Sequence, residues 1–289
     1  MALRSDPGQV NGRRRIWPSS PFLKGLVTLH VLLALAFVLW PAHWLAWVVS
    51  FFTMHVLVGV LVLQPRNPFF GPNVTHLPGA CRQRNEVAIT FDDGPDALVT
   101  PQILDLLDRF GAKASFFVIG NKLQNHPDLA RDIVRRGHSL ENHSSHHFVL
   151  LPLFAAGSLR REIQAAQSAI AAVCGQAPRF FRPPGGFHSP VLSPVLAGLG
   201  LRLATWTRRG FDTRDNNPRR VLKRLTRDLS AGDILVLHDG NAVRSASGAP
   251  VVLEVLPQLL HELQARGLHC VTLPQASPLP SPADTELGR

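Results

Sequence analysis

Two adjacent carboxylates, Asp92 and Asp93, close the run Glu86-Val87-Ala88-Ile89-Thr90-Phe91-Asp92-Asp93, and Gly94-Pro95 follows at once. Side chains of an extended segment alternate between its faces, so neighbouring aspartates cannot serve one site unless the backbone bends, and Gly94-Pro95 is the expected bend. One carboxylate can then hold a cation while the other stays free to accept a proton. Further along, Glu141-Asn142-His143-Ser144-Ser145-His146-His147 carries two histidines four residues apart. That spacing puts two imidazoles on one side of a helical turn. With one Asp they form a two-nitrogen, one-oxygen set for a divalent ion that leaves positions open to water and substrate. Alone, such a histidine pair more commonly packs or sits at the surface. The aspartate pair makes it a candidate site.

Positioning these groups requires strands that deliver them to one end of a fold. Short strand-like runs recur at Glu86 to Phe91, Ala114 to Ile119, Ser139 to Leu140, Arg179 to Phe181, Arg202 to Thr205, Asp233 to Leu237 and Leu268 to Thr272. Helix-like stretches separate them. Thr100-Pro101 is an N-cap signal, and Gly111, Gly137 and Gly267 stop helices after Arg109, Arg136 and Arg266. Seven strands alternating with helices predict an α/β parallel barrel or wound sheet, in which reactive groups gather at the carboxyl ends of strands. No internal repeat is visible.

A chain of 289 residues with 45% hydrophobic content can bury one core of roughly 200 residues and more besides. The remainder is at the front. Gly25 to Leu63 contains no Asp, Glu, Lys or Arg over about 39 residues, roughly 58 Å of helix against about 30 Å for one bilayer core. Two transmembrane helices are expected, near Phe22 to Trp40 and Trp44 to Leu63, with the hairpin at Trp40-Pro41-Ala42-His43-Trp44. The run is too long for the apolar region of a cleaved signal peptide. Arg4, Arg13, Arg14, Arg15 and Lys24 flank the first span, Arg66, Arg82 and Arg84 follow the second, and the hairpin carries no such charge. By the positive-inside rule both ends, and with them the barrel or wound sheet, are expected in the cytoplasm at a bacterial-type inner membrane.

The net charge of +10 comes with no Tyr and with basic residues scattered over helix faces and membrane flanks, which speaks against nucleic-acid binding and for anionic lipid headgroups. Cys81, Cys174 and Cys270, odd in number and widely spaced, suit a reducing compartment and make no metal-site pattern. Among the other histidines, His126, His261, His269, His30, His43 and His55 read as structural. His146 points off the face shared by His143 and His147, and His188 is a weak substrate-contact candidate.

From about Arg84 to Leu273 the chain resembles the polysaccharide deacetylase family, the NodB-homology carbohydrate esterases of family 4. The resemblance is carried by four ordered motifs: Thr90-Phe91-Asp92-Asp93-Gly94-Pro95; Gly137-His138 leading to Asn142-His143-Ser144-x-x-His147; Arg182-Pro183-Pro184-Gly185-Gly186; and Ile234-Leu235-Val236-Leu237-His238-Asp239. It implies a distorted (β/α)7 barrel of the NodB-homology type behind the two-helix transmembrane hairpin. The division expected is a basic N-terminal tail over 1–21, the two spans over 22–63, a polar linker over 64–85, the catalytic domain over 86–273 and a disordered tail, rich in Pro, Ser and Ala, over 274–289.

The resemblance also implies roles. Asp93, His143 and His147 would bind a divalent metal, zinc in most of the family. Asp92 would be the general base toward water, held charged and oriented by Arg182, and His238 the general acid for the departing amine. Gly185 would give its backbone amide to the oxyanion, and Pro184 and Val236 would line the substrate pocket. Two departures stand out. Gly185 occupies a position where the family often has Tyr, and Thr213 stands where its Asp-Trp motif has Trp. Counting from Trp206, Asp212 takes the Asp role of raising the pKa of His238, with Asp215 the second candidate.

The function implied is a membrane-anchored, metal-dependent deacetylase that hydrolyses the N-acetyl group of an amino sugar in a polysaccharide, oligosaccharide or lipid-linked glycan. An O-acetyl carbohydrate esterase and a catalytically inactive glycan-binding barrel are the rivals. A binding module would need neither Asp92, Arg182 nor His238, which argues against the second.

Overall fold

The structure, a computed structural model, describes residues 20–278. The expected basic tail, apart from Ser20 and Pro21, and residues 279–289 of the expected disordered tail lie outside the described residues. Helices α1 (Pro21–Leu39) and α2 (Trp44–Val62) are joined by a single 3-10 turn at Pro41–His43, close to the expected hairpin. Both are long and apolar enough to cross a membrane and expose nearly all their side chains. After α3 (Gly79–Gln83) come β1 (Glu86–Gly94), α4 (Val99–Arg109), β2 (Ala114–Val118), α5 (Gly120–Asn125), α6 (Pro127–Arg135), β3 (Ser139–Asn142), α7 (Ala156–Cys174), β4 (Phe180–Phe181), α8 (Leu192–Leu199) and β5 (Arg202–Leu203). The chain continues through β6 (Arg208–Arg209), α9 (Pro218–Thr226), β7 (Ile234–His238), α10 (Val251–Ala265), β8 (His269–Cys270) and α11 (Leu273–Ala276).

All strand pairs are parallel, in the order β5-β4-β3-β2-β1-β7-β6, with β8 beside the first residues of β1. The sheet curls into the distorted barrel expected of a NodB-type chain. Alternation along β1 separates two cores. Val87, Ile89 and Phe91 pack outward under the helices, where Phe91 stacks on Phe116 at 5.0 Å, while Ala88 turns inward with Val236, Phe117 and Trp206. Thr90 and Asp92 share that inward parity, which is how a continuous apolar strand delivers polar groups to the barrel's interior.

Three expectations change. Among the described residues the expected seven strands are eight: β6, two arginines before a glycine, has none of the apolar character by which a strand is read from sequence, and it pairs with β7 through Arg208↔Leu235 and Arg209↔Val236. The segment read as a polar linker is packed against the barrel. Phe70, Leu77 and Cys81 in it are buried, Val74 N donates to Leu203 O and Val74 O accepts from Thr205 N, and Leu77 N donates to Gly232 O. It spans the seam left open between the edge strands β5 and β6, through the bridges Val74↔Ala204 and His76↔Asp233. Third, Leu273 to Ala276 form a helix with a capping box between Thr272 and Gln275 where the tail was expected to begin.

Thr100, expected as an N-cap, lies inside α4. Asp96 Oδ1 caps this helix instead, accepting from Leu98 N and Val99 N, and the Thr100 hydroxyl donates to Asp239 at 2.6 Å. The stops at Gly111, Gly137 and Gly267 fall where expected.

Candidate active site

Asp92 and Asp93 stand just before Gly94, the last residue of β1, and the bend that separates their directions is at Asp93 itself rather than at Gly94-Pro95. Its φ is 72° and the register with β2 slips between Asp92 and Gly94. Aspartate tolerates this left-handed conformation better than most residues. By strand parity Asp93 would point outward with Phe91, and the bulge turns it inward beside Asp92. Gly94 is required by packing: a Cβ there would lie 2.0 Å from Asp239 Oδ2.

Asp93 Oδ1 lies 3.2 Å from His143 Nε2 and 2.8 Å from His147 Nε2. The ring centroids of the two histidines are 5.0 Å apart. They converge by a different route from the expected helical turn. Residues 143–147 form an irregular loop after β3, and Ser144 and His147 take positive φ, 65° and 58°. His143 Nδ1 bonds the Arg182 carbonyl at 2.7 Å, which fixes the ring with Nε2 toward Asp93. Burial would raise the pKa of Asp93, but hydrogen bonds from His143 and His147 outweigh it and hold the carboxyl well below its ordinary range. One ligand atom from each of Asp93, His143 and His147 lies within 4.8 Å of the others. A carboxylate oxygen and two imidazole nitrogens, one of them braced by a carbonyl, fit a divalent ion such as zinc.

Asp92 points the other way within the site. Its Oδ1 accepts from Arg182 Nη1 at 2.6 Å, and Arg182 is fully buried. The guanidinium also bonds Thr90 Oγ1, Ala204 O and Thr205 O, and lies 4.0 Å over the Phe117 ring. Burial lowers the pKa of Arg182 against the opposing pull of Asp92, yet a guanidinium stays charged in a protein. The charge thus needs Asp92, and the carboxylate is fixed in direction.

His238, the last residue of β7, is the register partner of Asp92 on the neighbouring strand. Its Nδ1 lies 2.8 Å from Asp212 Oδ1 and its backbone N donates to Asp212 Oδ2 at 2.8 Å. Burial would lower the imidazole pKa, but the Asp212 charge and hydrogen bond prevail, and it is raised. Asp215 is engaged elsewhere, paired with Arg220 and Arg224. Gly185 holds φ 65°, a left-handed value that favours glycine, and a Cβ there would meet the Phe187 ring at 3.0 Å. Pro184 is buried, and Val236 shares the inner face with His238 but is wholly buried in the cluster with Ala88 and Trp206.

Two members of this site, Asn241 and Lys122, were not expected from the sequence. Asn241 Nδ2 donates to Asp93 Oδ2 at 3.1 Å and Lys122 Nζ to Asp93 O at 2.8 Å. Asn241 follows His238 by three residues, a signal in plain view; Lys122 comes from α5 and carries none. His146 bonds Glu162 and is turned from the cluster, as expected. His188, the weak substrate candidate, is buried and ties the segment that follows α2 to the site loop through the carbonyls of Asn67 and Gly186.

The polysaccharide deacetylase family model matches residues 79–204. Over 194 residues the chain is 34% identical to peptidoglycan-N-acetylglucosamine deacetylase of Bacillus cereus, an overlap of 65% of this chain and 85% of that protein. A chitooligosaccharide deacetylase of Bradyrhizobium is 33% identical over 196 residues, 65% of this chain and 89% of the relative. Among solved structures, a family 4 carbohydrate esterase from Streptomyces lividans in complex with acetate is similar with a TM-score of 0.58 and 29% identity, covering 64% of this chain and 91% of the other.

Proposed function

This chain belongs to the polysaccharide deacetylase family and is a hydrolase of carbon–nitrogen bonds other than peptide bonds, and from that premise we propose a membrane-anchored, metal-dependent N-deacetylase acting on an acetylated amino sugar. The observation that carries the reading is the arrangement of two acid–base groups, Asp92 and His238, side by side on β1 and β7 next to the Asp93–His143–His147 cluster.

Asp93, His143 and His147 would hold a divalent ion, and their one-oxygen, two-nitrogen donor set suits zinc. When bound, such an ion polarises the acetyl carbonyl and acidifies water. Asp92, aimed by its hydrogen bond from Arg182, takes the proton from the attacking water. The Gly185 amide donates to the oxygen on which negative charge develops. His238, charged through Asp212, gives its proton to the sugar nitrogen as the carbon–nitrogen bond breaks. Acetate and a free amine leave.

The two apolar helices anchor the barrel, and their basic flanks support a cytoplasmic catalytic domain. The junction supports a site held close to the bilayer: Ser20 Oγ donates to Phe69 O, Phe22 packs on Phe69 and Phe70, and Arg66 Nη1 donates to Thr207 O. A sugar on a polyprenyl-phosphate carrier at the inner leaflet suits that placement better than mature peptidoglycan. The test is acetate release by the full-length, zinc-loaded protein from acetylated substrates, polyprenyl-linked amino sugars first. Turnover of amide-linked acetyl groups is expected, and turnover of ester-linked acetyl groups alone would establish the O-deacetylase instead. C-terminal reporter fusions that report a periplasmic domain would overturn the orientation and restore an exported glycan as substrate.

A further inference from the structure

Arg209, on the strand missed in the sequence, takes no part in the chemistry above. Its register partner on β7 is Val236, whose partner on β1 is Thr90, so Arg209 lies on the inner face of the barrel, the face of Asp92 and His238. The guanidinium is 5.0 Å from the ring centroid of Trp206 and 5.0 Å from that of Phe211. Its Nε is buried and finds no hydrogen-bond partner among the described residues. Arg182 on the same inner face is the contrast: it spends its donors on Asp92, Thr90 and two carbonyls.

The acids around Arg209 are engaged already, Asp92 by Arg182, Asp212 by His238, and Asp93 by both histidines. Arg209 is half-buried, and a buried Nε–H left without an acceptor is costly unless something that enters the cleft supplies one. Burial lowers its pKa while Asp92, Asp212 and Asp93 oppose the change, and arginine keeps its charge. Two further arginines lie near it, one of them, Arg224, already paired with Asp215. Arg66 reaches the carbonyl of Thr207, two residues before Arg209, and Arg224 lies 5.8 Å from the Phe211 ring.

We infer that Arg209 is a recognition residue for an anionic group carried by the amino-sugar substrate, a phosphate ester or carboxylate whose two oxygens meet its planar fork. Trp206 and Phe211 hold the guanidinium plane by cation–π contact, leaving the N–H edge for the ligand. The inference rests on the amino-sugar reading of the site and narrows it to charged sugars. A phosphate ester is the mark of a sugar on a lipid or nucleotide carrier, and a carboxylate that of a sugar acid.

The test uses the full-length protein in detergent and two pairs of probes, each an anionic sugar with a neutral counterpart. One pair is N-acetylglucosamine 1-phosphate with methyl N-acetylglucosaminide, the other N-acetylmuramic acid with its methyl ester. Calorimetric dissociation constants for the wild type should favour the charged member of one pair by about tenfold or more, the scale of a charge-assisted hydrogen-bonded pair. The pair that discriminates identifies the phosphate or the carboxylate source. Arg209→Met should erase the difference, and Arg209→Lys, which keeps charge but not the fork, should recover part of it. Equal binding within both pairs by the wild type overturns the inference without recourse to any variant, as does an Arg209→Met protein that still discriminates. If charge is discriminated in binding but no sugar yields acetate, the deacetylase reading falls and the anion site stands. If acetate is released and charge is ignored, the anion site alone falls.

Discussion

At the scale of single residues, the site separates two neighbouring aspartates by one backbone torsion. Asp93, at φ 72°, faces His143 and His147, and Asp92 faces Arg182. Asp92→Asn should therefore lower kcat by roughly 10²–10⁴-fold, the usual worth of a general base, while bound zinc, measured on the purified protein, stays at wild-type stoichiometry. Full activity in a metal-replete Asp92→Asn protein would reject the assignment of the base. His238 must be protonated to act as an acid, so activity is present below its pKa and lost as pH rises through it. That pKa is raised by Asp212, hence Asp212→Asn should move the alkaline limb of kcat/KM to lower pH; an unmoved limb would leave Asp212 a purely structural partner. Every proposed ligand and acid–base residue was nameable from the ordered motifs. Arg209 was not, because nothing in Trp206-Thr207-Arg208-Arg209 reveals that a barrel wall turns one arginine inward.

At the scale of elements, strand parity organises the molecule. Odd positions of β1 feed the core under the helices, even positions feed the cleft, and Asp93 joins the cleft through a register slip. β3 and β4 are locked by a buried carboxylate: Glu141 accepts from the backbone N–H groups of Arg179 and Phe180. Burial pushes its pKa from 4.5 to about 7 against those hydrogen bonds. A carboxyl whose folded pKa is raised binds a proton more tightly when folded, so its contribution to stability falls as pH rises through that window. Glu141→Gln should flatten the decline, seen as a wild-type-minus-variant difference in Tm that grows more negative between pH 4.5 and about 7; a pH-independent difference would reject the assignment. The segment read as a linker supplies a second test. Phe70 is wholly buried, so Phe70→Ala should cost about 3–5 kcal/mol in denaturant unfolding, as in a core, whereas a true tether would lose almost nothing.

At the scale of the whole molecule, the hairpin and the barrel meet through a short junction, with the carbonyls of Asn67 and Phe69 bonded to His188 and Ser20. The segment that follows α2 therefore packs on the Arg182–Gly186 loop of the site, where Pro65 crowds Gly186. Composition and order along the chain were enough to determine the apolar hairpin, the alternation of strands and helices, and the residue types of the catalytic set, because hydrophobic period and motif spacing are local properties written in consecutive residues. Tertiary structure alone decided the rest. The bulge at Asp93, the irregular loop that converges His143 and His147 without a helix, the choice of Asp212 over Asp215, the seam filled by residues 74–77 and the inward turn of Arg209 all depend on which strands become neighbours. That choice is set by burial across residues far apart in the chain, and no local window of sequence contains it.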